Sequence, residues 1–192
     1  MRIWPYLLFA FVLSAGYIIL FIAPGHMDNL ALDPSKVSSG DLWLFLTYPF
    51  VHMDVGHLLK NLIGLALVTV GIIELKTRFS DFSSIYLLAG FLAVLPIWFI
   101  IQFTALGASV AIYSIFGLIA IESKKYDIKP WHMLILLTGV IVAEATMSST
   151  STAMLSSLSH FSGLVFGVFS FFFVKKVHGA MDKKKIHCLR RI

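Results

Sequence analysis

The feature that most limits what this chain can fold into is a succession of apolar runs, each about as long as a bilayer is thick. They cover approximately Trp4 to Ala23, His57 to Ile73, Phe82 to Phe103, Ala105 to Ile121, Trp131 to Met147 and Ser157 to Val174. Crossing the hydrocarbon core as a helix takes roughly 20 mainly apolar residues. Inside lipid a helix satisfies its own backbone N–H and C=O groups, which an open sheet cannot do. Composition excludes the water-soluble alternative: 58% of the 192 residues are hydrophobic and 13% are charged, and the mean hydropathy is +0.89. Soluble domains carry about 25% charged residues, and a surface this poor in charge would not be wetted. The intervals between the runs hold Pro, Gly or charged residues, as connections do. The first run lacks a small-residue cleavage site at its end and reads as a membrane helix rather than a signal peptide. The expectation is an all-α membrane protein with six transmembrane helices. It would form one domain over 1–192, with a core at about 43–174 and a basic tail at about 175–192.

The net charge of +5 is informative by location. Arg2, then Lys76 and Arg78, then Lys124, Lys125 and Lys129 fall at the N-terminus and in the second and fourth connections. Lys175, Lys176, Lys183, Lys184, Lys185, Arg190 and Arg191 follow in the tail, while the other connections hold little beyond Lys36. Under the positive-inside rule this alternation predicts a multi-pass protein of the cell (plasma) membrane with both termini cytoplasmic. The tail is read as fixing orientation and touching anionic lipid, not as binding nucleic acid. One cysteine, Cys188, leaves no intramolecular disulfide to form.

With that orientation the second, fourth and sixth runs descend from the outer face, and each carries polar residues near its outer end. The second begins HLLKN, with His57 and Asn61 four residues apart; the fourth carries Ser109 and Tyr113, also four apart; the sixth begins SSLSHFSG, with His160. The i, i+4 spacing puts each pair on one helical face. All lie within about two turns of the outer end, roughly 10 Å at 1.5 Å per residue. Polar groups at such depth are costly, face the bundle interior or water, and commonly mark function.

Nucleophilic chemistry fits these residue types. A serine hydroxyl is a weak nucleophile until a base takes its proton, and a neutral imidazole suits that task near pH 7. Acyl transfer also needs donors aimed at the oxyanion, and Asn61 and His57 are donors on a neighbouring helix. Gly107 and Ala108 are small enough to let a substrate backbone approach Ser109. Glu144, near the outer end of the fifth run, is the one acidic candidate for a third member beside His160. Lateral contact with another helix, or pairing with Lys60, is the plainer reading of it.

Structural readings stand beside these. Ser, Thr, Asn and His serve as interhelical hydrogen-bond partners in membranes, and GxxxG, here Gly163 and Gly167, usually means close helix packing. Tyr113 alone reads as aromatic filler. His52 and His57 are spaced i, i+5, without the glutamate of HExxH, so no metal site is expected. Asp28, Asp33, Asp41 and Asp54 read as solvated. Trp43, Phe45, Tyr48 and Phe50 read as an interfacial segment in the headgroup zone.

Taken together, HMDVGHLLKN, GASVAIYSIFG and SHFSGLVFG, in that order between about Trp43 and Gly167, resemble the rhomboid family of intramembrane serine proteases in its minimal six-helix, prokaryotic form. The resemblance implies Ser109 as nucleophile and His160 as general base in a dyad that needs no acid. Asn61 and His57 would complete an oxyanion hole with the Ser109 backbone N–H. Tyr113 would stack on His160, and His52 would hydrogen-bond within the first outer loop. Gly163 and Gly167 would pack the sixth helix on the fourth. No cofactor is implied, and the partners would be transmembrane protein substrates and membrane lipids. A substrate helix would enter sideways, between the second and fifth spans. Three positions depart from the family's habit: Val110 follows the serine where Gly is common, Trp43-Leu44 replaces a Trp-Arg pair, and Ser159 replaces the alanine before the base. Two other readings stay open: an inactive relative that binds membrane clients, and a small transporter or channel, which would need polar groups through the full bilayer depth.

Overall fold

The computed structural model of the chain describes residues 2–148 and 150–189; Arg190 and Arg191 of the expected tail lie outside the described residues. Its elements are α1 (Trp4–Ile22), three short helices α2 (His26–Leu30), α3 (Pro34–Ser38) and α4 (Leu44–Thr47), then α5 (Val55–Glu74), α6 (Phe79–Leu92), α7 (Leu95–Ile101), α8 (Ser109–Glu122), α9 (Pro130–Ser148) and α10 (Ser151–Leu189). Among the described residues five segments have the length and apolar composition to cross a membrane: Trp4–Ile22, Val55–Glu74, Phe79–Ile101, Pro130–Met147 and Ser151–Lys176. Among the described residues no β-strand forms, and the fold is an all-α membrane bundle.

The fourth run departs most from expectation. It is helical only from Ser109, not from Ala105, because Ala105 forms a two-way backbone bridge with Leu32 (3.0 and 3.1 Å) and the Gly107 N–H donates to the Tyr48 carbonyl at 2.9 Å. Gly107, at φ +97, then turns the chain into the helix. With 14 residues and 1.5 Å rise per residue, α8 is about 21 Å long, less than the roughly 30 Å hydrocarbon core. Its far end runs into Lys124 and Lys125, so its first residue sits below the opposite membrane surface. The helix packs against α5, α6, α9 and α10, and Ala111, Ile112, Ser114, Ile115, Gly117, Leu118 and Ala120 are all buried. A helix apolar on every side belongs inside a bundle.

Two other runs are adjusted at their ends. The third, expected to continue from Phe82 to Phe103, breaks at Ala93–Val94, with Pro96 in the first turn of α7, where a proline is tolerated. The hydroxyl of Ser162 on α10 donates to the freed Ala93 carbonyl. The sixth helix starts at Ser151 rather than Ser157, and Thr150 Oγ1 accepts from the Ala153 N–H at 3.3 Å. That hydroxyl serves an otherwise unpaired helix-terminal donor.

The outer helices pack less completely. Helix α1 is held to α6 by Tyr17 and Tyr86, whose hydroxyls meet at 2.8 Å, and its Tyr6 hydroxyl donates to the Thr77 carbonyl at 2.6 Å. Among the described side chains of α9 only Ile141 is buried, while Trp131, Ile135, Leu136, Val140 and Val142 are exposed, as lipid-facing residues should be.

The two ends of the bundle differ in chemistry. At one end the second and fourth connections lie together: Lys125 Nζ donates to the Leu75 carbonyl at 2.9 Å, and Tyr126 to the Glu74 carbonyl at 3.0 Å. The Thr77 hydroxyl donates to Glu122 at 2.5 Å. Lys76, Arg78, Lys125 and Lys175, against Asp81 and Glu122, line a cavity of about 450 Å³ there. At the other end the long first connection folds over the start of α8. Two of its acidic residues, read from sequence as solvated, are helix caps: Asp33 accepts from the Ser35 N–H at 2.8 Å, and Asp54 accepts from the His57 N–H at 2.8 Å. The hydrogen bonds to Ser35 hold the Asp33 carboxyl below its ordinary range. The aromatic segment of that connection is only partly interfacial, since Trp43 is exposed but Tyr48 is buried and donates to the Gly90 carbonyl at 2.5 Å.

Candidate active site

Ser109 is the first residue of α8 and half-buried. A helix start leaves its first four N–H groups without intrahelical acceptors, and Ala108 before it caps none of them with a side chain. The Ser109 hydroxyl therefore stands beside free backbone donors at the positive end of the helix, a setting suited to a developing anion.

Helix α5 brings its polar pair against this turn. A Cβ at Gly107 would lie 2.7 Å from both Cε1 and Nε2 of His57 and 3.9 Å from Nδ2 of Asn61. Only glycine fits there, by both φ and space. Asn61 is buried; its Nδ2 donates to the His57 carbonyl at 2.9 Å, while its Oδ1, like His57 Nδ1, has no protein partner. One N–H of the Asn61 amide is thus committed and the second remains to donate.

His52 lies behind His57. It is fully buried, its Nδ1 donates to the Phe50 carbonyl at 3.2 Å, and its ring meets those of His57 at 5.2 Å and Tyr17 at 5.1 Å. His26 Nε2 donates to the His52 carbonyl at 3.1 Å. Burial, helped by the neighbouring His57, pushes the pKa of His52 down to about 4, so it is a neutral packing residue at physiological pH. Among the described residues no group of three His, Cys, Asp or Glu side chains could hold a metal ion.

His160 comes from α10, 6% exposed. Tyr113 lies flat on its ring, with centroids 4.4 Å apart and planes 17° from parallel. The glycines of α10 explain the closeness. A Cβ at Gly163 would overlap the Val110 carbonyl, and one at Gly167 the Ser114 carbonyl. The pairings 163 with 110 and 167 with 114 rise together, so the two helices run parallel. One turn before Gly163, His160 is therefore level with the Gly107–Ser109 turn. The Ser109 and His160 side chains form no hydrogen bond with each other; the His160 Nε2 instead accepts from the Ser156 hydroxyl at 3.5 Å, and its Nδ1 donates to Glu144 Oε2 at 3.0 Å.

Sequence reasoning missed two contributors. Gly117 completes the helix contact from the α8 side, where a Cβ would overlap the Leu164 carbonyl; a glycine inside an apolar run was its only signal. Ser156 gave no signal beyond its place one turn before His160. Two of the three departures from the family's habit fall together in space. Val110 and Leu44, 5% and 0% exposed, belong to one buried cluster with Leu32, Tyr48, Ala89, Trp98 and Ala105. The valine side chain thus fills the joint between the outer connection, α6, α7 and α8. Ser159 is buried and donates to the Leu155 carbonyl of its own helix at 2.9 Å.

The family model described as Rhomboid domain matches residues 39–177 of the chain, from the later part of the first outer connection through α5 to α9 and the membrane part of α10. No curated protein matches. The chain belongs to the rhomboid family and is an integral membrane protein.

Proposed function

We propose that this rhomboid-family chain is an intramembrane serine endopeptidase that cleaves transmembrane protein substrates near the outer membrane face. Ser109 Oγ attacks the scissile carbonyl carbon while its proton passes to His160 Nε2. The oxyanion of the tetrahedral intermediate accepts from the Ser109 backbone N–H, the free N–H of Asn61 and His57. Collapse breaks the C–N bond, and His160 gives its proton to the departing amine. Water, activated by the same imidazole, then hydrolyses the ester. Closure of His160 Nε2 from Ser156 onto Ser109 accompanies substrate binding, since catalytic hydrogen bonds often tighten only in the complex.

The observation that carries this reading is the stack of Tyr113 on His160, a histidine held level with the helix start that carries Ser109. The Gly107 turn sets His57 and Asn61 against the same point. Substrate entry between α5 and α9 agrees with the lipid-exposed surface of α9, and the start of α1 and the Lys175 part of α10, at the basic end of the bundle, support both termini facing the cytoplasm in the plasma membrane. The basic cavity at that end suits anionic lipid.

The engagement of Nε2 by Ser156 rather than Ser109 favours, as a second reading, an inactive client-binding relative. A transport pathway finds no support: Thr69, Ser114 and Ser123 turn back onto their own helices' carbonyls, and Leu65, Val68, Ile72, Ile112, Ile115 and Leu118 fill the core below the site. Purified protein in detergent should react with a fluorophosphonate at Ser109 and cleave a model transmembrane substrate, and Ser109→Ala and His160→Ala should abolish both. Cleavage that survives both substitutions would remove the proposal. Wild-type protein that neither reacts nor cleaves would leave the client-binding reading.

A further inference from the structure

We infer that Glu144 is a positioning residue for His160, making the site a Ser–His–Glu arrangement rather than a bare dyad. The inference rests on the hydrolytic reading above. Its basis is geometric. Glu144 is the only acidic residue in α9, in a segment otherwise suited to lipid, and an ionised group there is costly unless it is paired or reaches water. Its Oε2 accepts from His160 Nδ1 at 3.0 Å, with the imidazole 8% and the carboxylate 39% exposed.

The nitrogen it meets is the one that matters. Accepting from Nδ1 holds the proton there and leaves Nε2 with the lone pair that takes the serine proton, the logic by which a third group serves a serine–histidine pair. Tyr113 and Glu144 also do different things to the ring. Stacking fixes its plane but still allows a half-turn about the Cβ–Cγ bond, so that either edge can face Ser109. The hydrogen bond from α9 fixes which edge. As Ser109 Oγ bonds to the substrate carbon and its proton moves to Nε2, the Nδ1 proton stays on the ring. The carboxylate stays ionised and stabilises the imidazolium. The other charged or titratable groups around this pair are His57 and Lys60 of α5, which act electrostatically on Glu144, and Tyr113 of α8. Ser156 and Ser159 of α10 are neutral.

The test compares wild type, Glu144→Gln and Glu144→Asp on a transmembrane substrate in detergent, with Ser109→Ala as the blank and thermal unfolding as the check on folding. Glu144→Gln should lower kcat by about tenfold or more with KM within about twofold. Because the charge beside the imidazole is lost, the acid limb of kcat/KM should also be displaced. Glu144→Asp should recover part of kcat. A Glu144→Gln enzyme with wild-type kcat and acid limb overturns the inference while leaving the protease reading intact. So does a loss that tracks unfolding, with no displacement of the limb. A second readout does not need turnover: nitrogen-15 histidine spectra of Ser109→Ala should show His160 protonated at Nδ1, with that proton's signal altered by adding Glu144→Gln. His160 in the Nε2–H form would overturn the inference even in an active enzyme. If Ser109→Ala cleaves like wild type, the protease reading falls and the positioning role falls with it.

Discussion

Replacing Gly107 by alanine tests the centre of the site, because the structure separates two costs that such a change usually mixes. The first is backbone strain. At φ +97 an L-residue sits in a sparsely populated region at a cost of about 1–3 kcal/mol. The second is contact. The new Cβ would lie 2.7 Å from Cε1 and Nε2 of His57, so the imidazole must move by roughly 1 Å to restore ordinary van der Waals separation. The ring has little room to do so, since His52 packs its edge against it at 5.2 Å. Gly40→Ala supplies the control: its φ is +108 and nothing lies within 4 Å of the added atom, so it carries strain alone. Gly40→Ala should lose about 1–3 kcal/mol of stability in detergent, and Gly107→Ala more, by the cost of displacing His57. Gly107→Ala alone should also lose activity by about a hundredfold, the scale of a 1 Å misplacement in a catalytic arrangement. The assay is paired unfolding and substrate-cleavage kinetics, with the rate of fluorophosphonate labelling of Ser109 as a second measure. If Gly107→Ala cleaves and labels at the rate of Gly40→Ala, His57 is not part of the oxyanion-binding arrangement, and the reasoning fails.

Three further outcomes follow from single positions. Val110→Gly should destabilise the protein by about 2–4 kcal/mol, from lost burial and the cost of glycine within a helix. Activity per folded molecule should stay near wild type, because Val110 fills the joint under the outer connection; a gain in activity at unchanged stability would contradict that placement. Tyr113→Phe should keep kcat within about threefold, because the stack needs only the ring face. Tyr113→Ala should lose far more, and equal losses in the two variants would point to the hydroxyl. His52 has its pKa lowered from 6.5 to about 4 by burial, so between these values the unfolded chain binds the extra proton. The resulting stabilisation is complete above pH 6.5 and is lost as pH falls towards 4, by up to about 3 kcal/mol. His52→Phe should lack that slope in unfolding measured across this range, and an unchanged slope would assign it to other groups.

The spans were legible in the sequence because hydrocarbon imposes one requirement on every residue of a crossing helix, and a run of apolar side chains meets it visibly. The polar residues His57, Asn61, Ser109, Tyr113 and His160 were legible for the converse reason, as exceptions at a common depth. The glycines at 163 and 167 announced close packing, and only the family resemblance named the fourth helix as the partner, which they do meet at Val110 and Ser114. Other features had no local signature. Helix α8 begins at Ser109 because Ala105 and Gly107 bond backbone to backbone with Leu32 and Tyr48, residues more than fifty positions away. Asp33 and Asp54 read as solvated, and only the fold showed that each also caps a helix. Glu144 was visible as a carboxylate in an apolar run, but nothing in the run said whether it faced His160, Lys60 or lipid.

By itself, then, the sequence determined the solvent, the all-α class and which residues are out of place in lipid, since each depends on composition and on spacing along one helix. Only the tertiary structure decided where α8 starts, that Val110 and Leu44 share one buried joint, and that Glu144 reaches the Nδ1 of His160. Those outcomes depend on how helices are rotated and shifted against one another. Rotation and shift are set by contacts such as Gly163 on the Val110 carbonyl, which exist only when distant parts of the chain are already side by side.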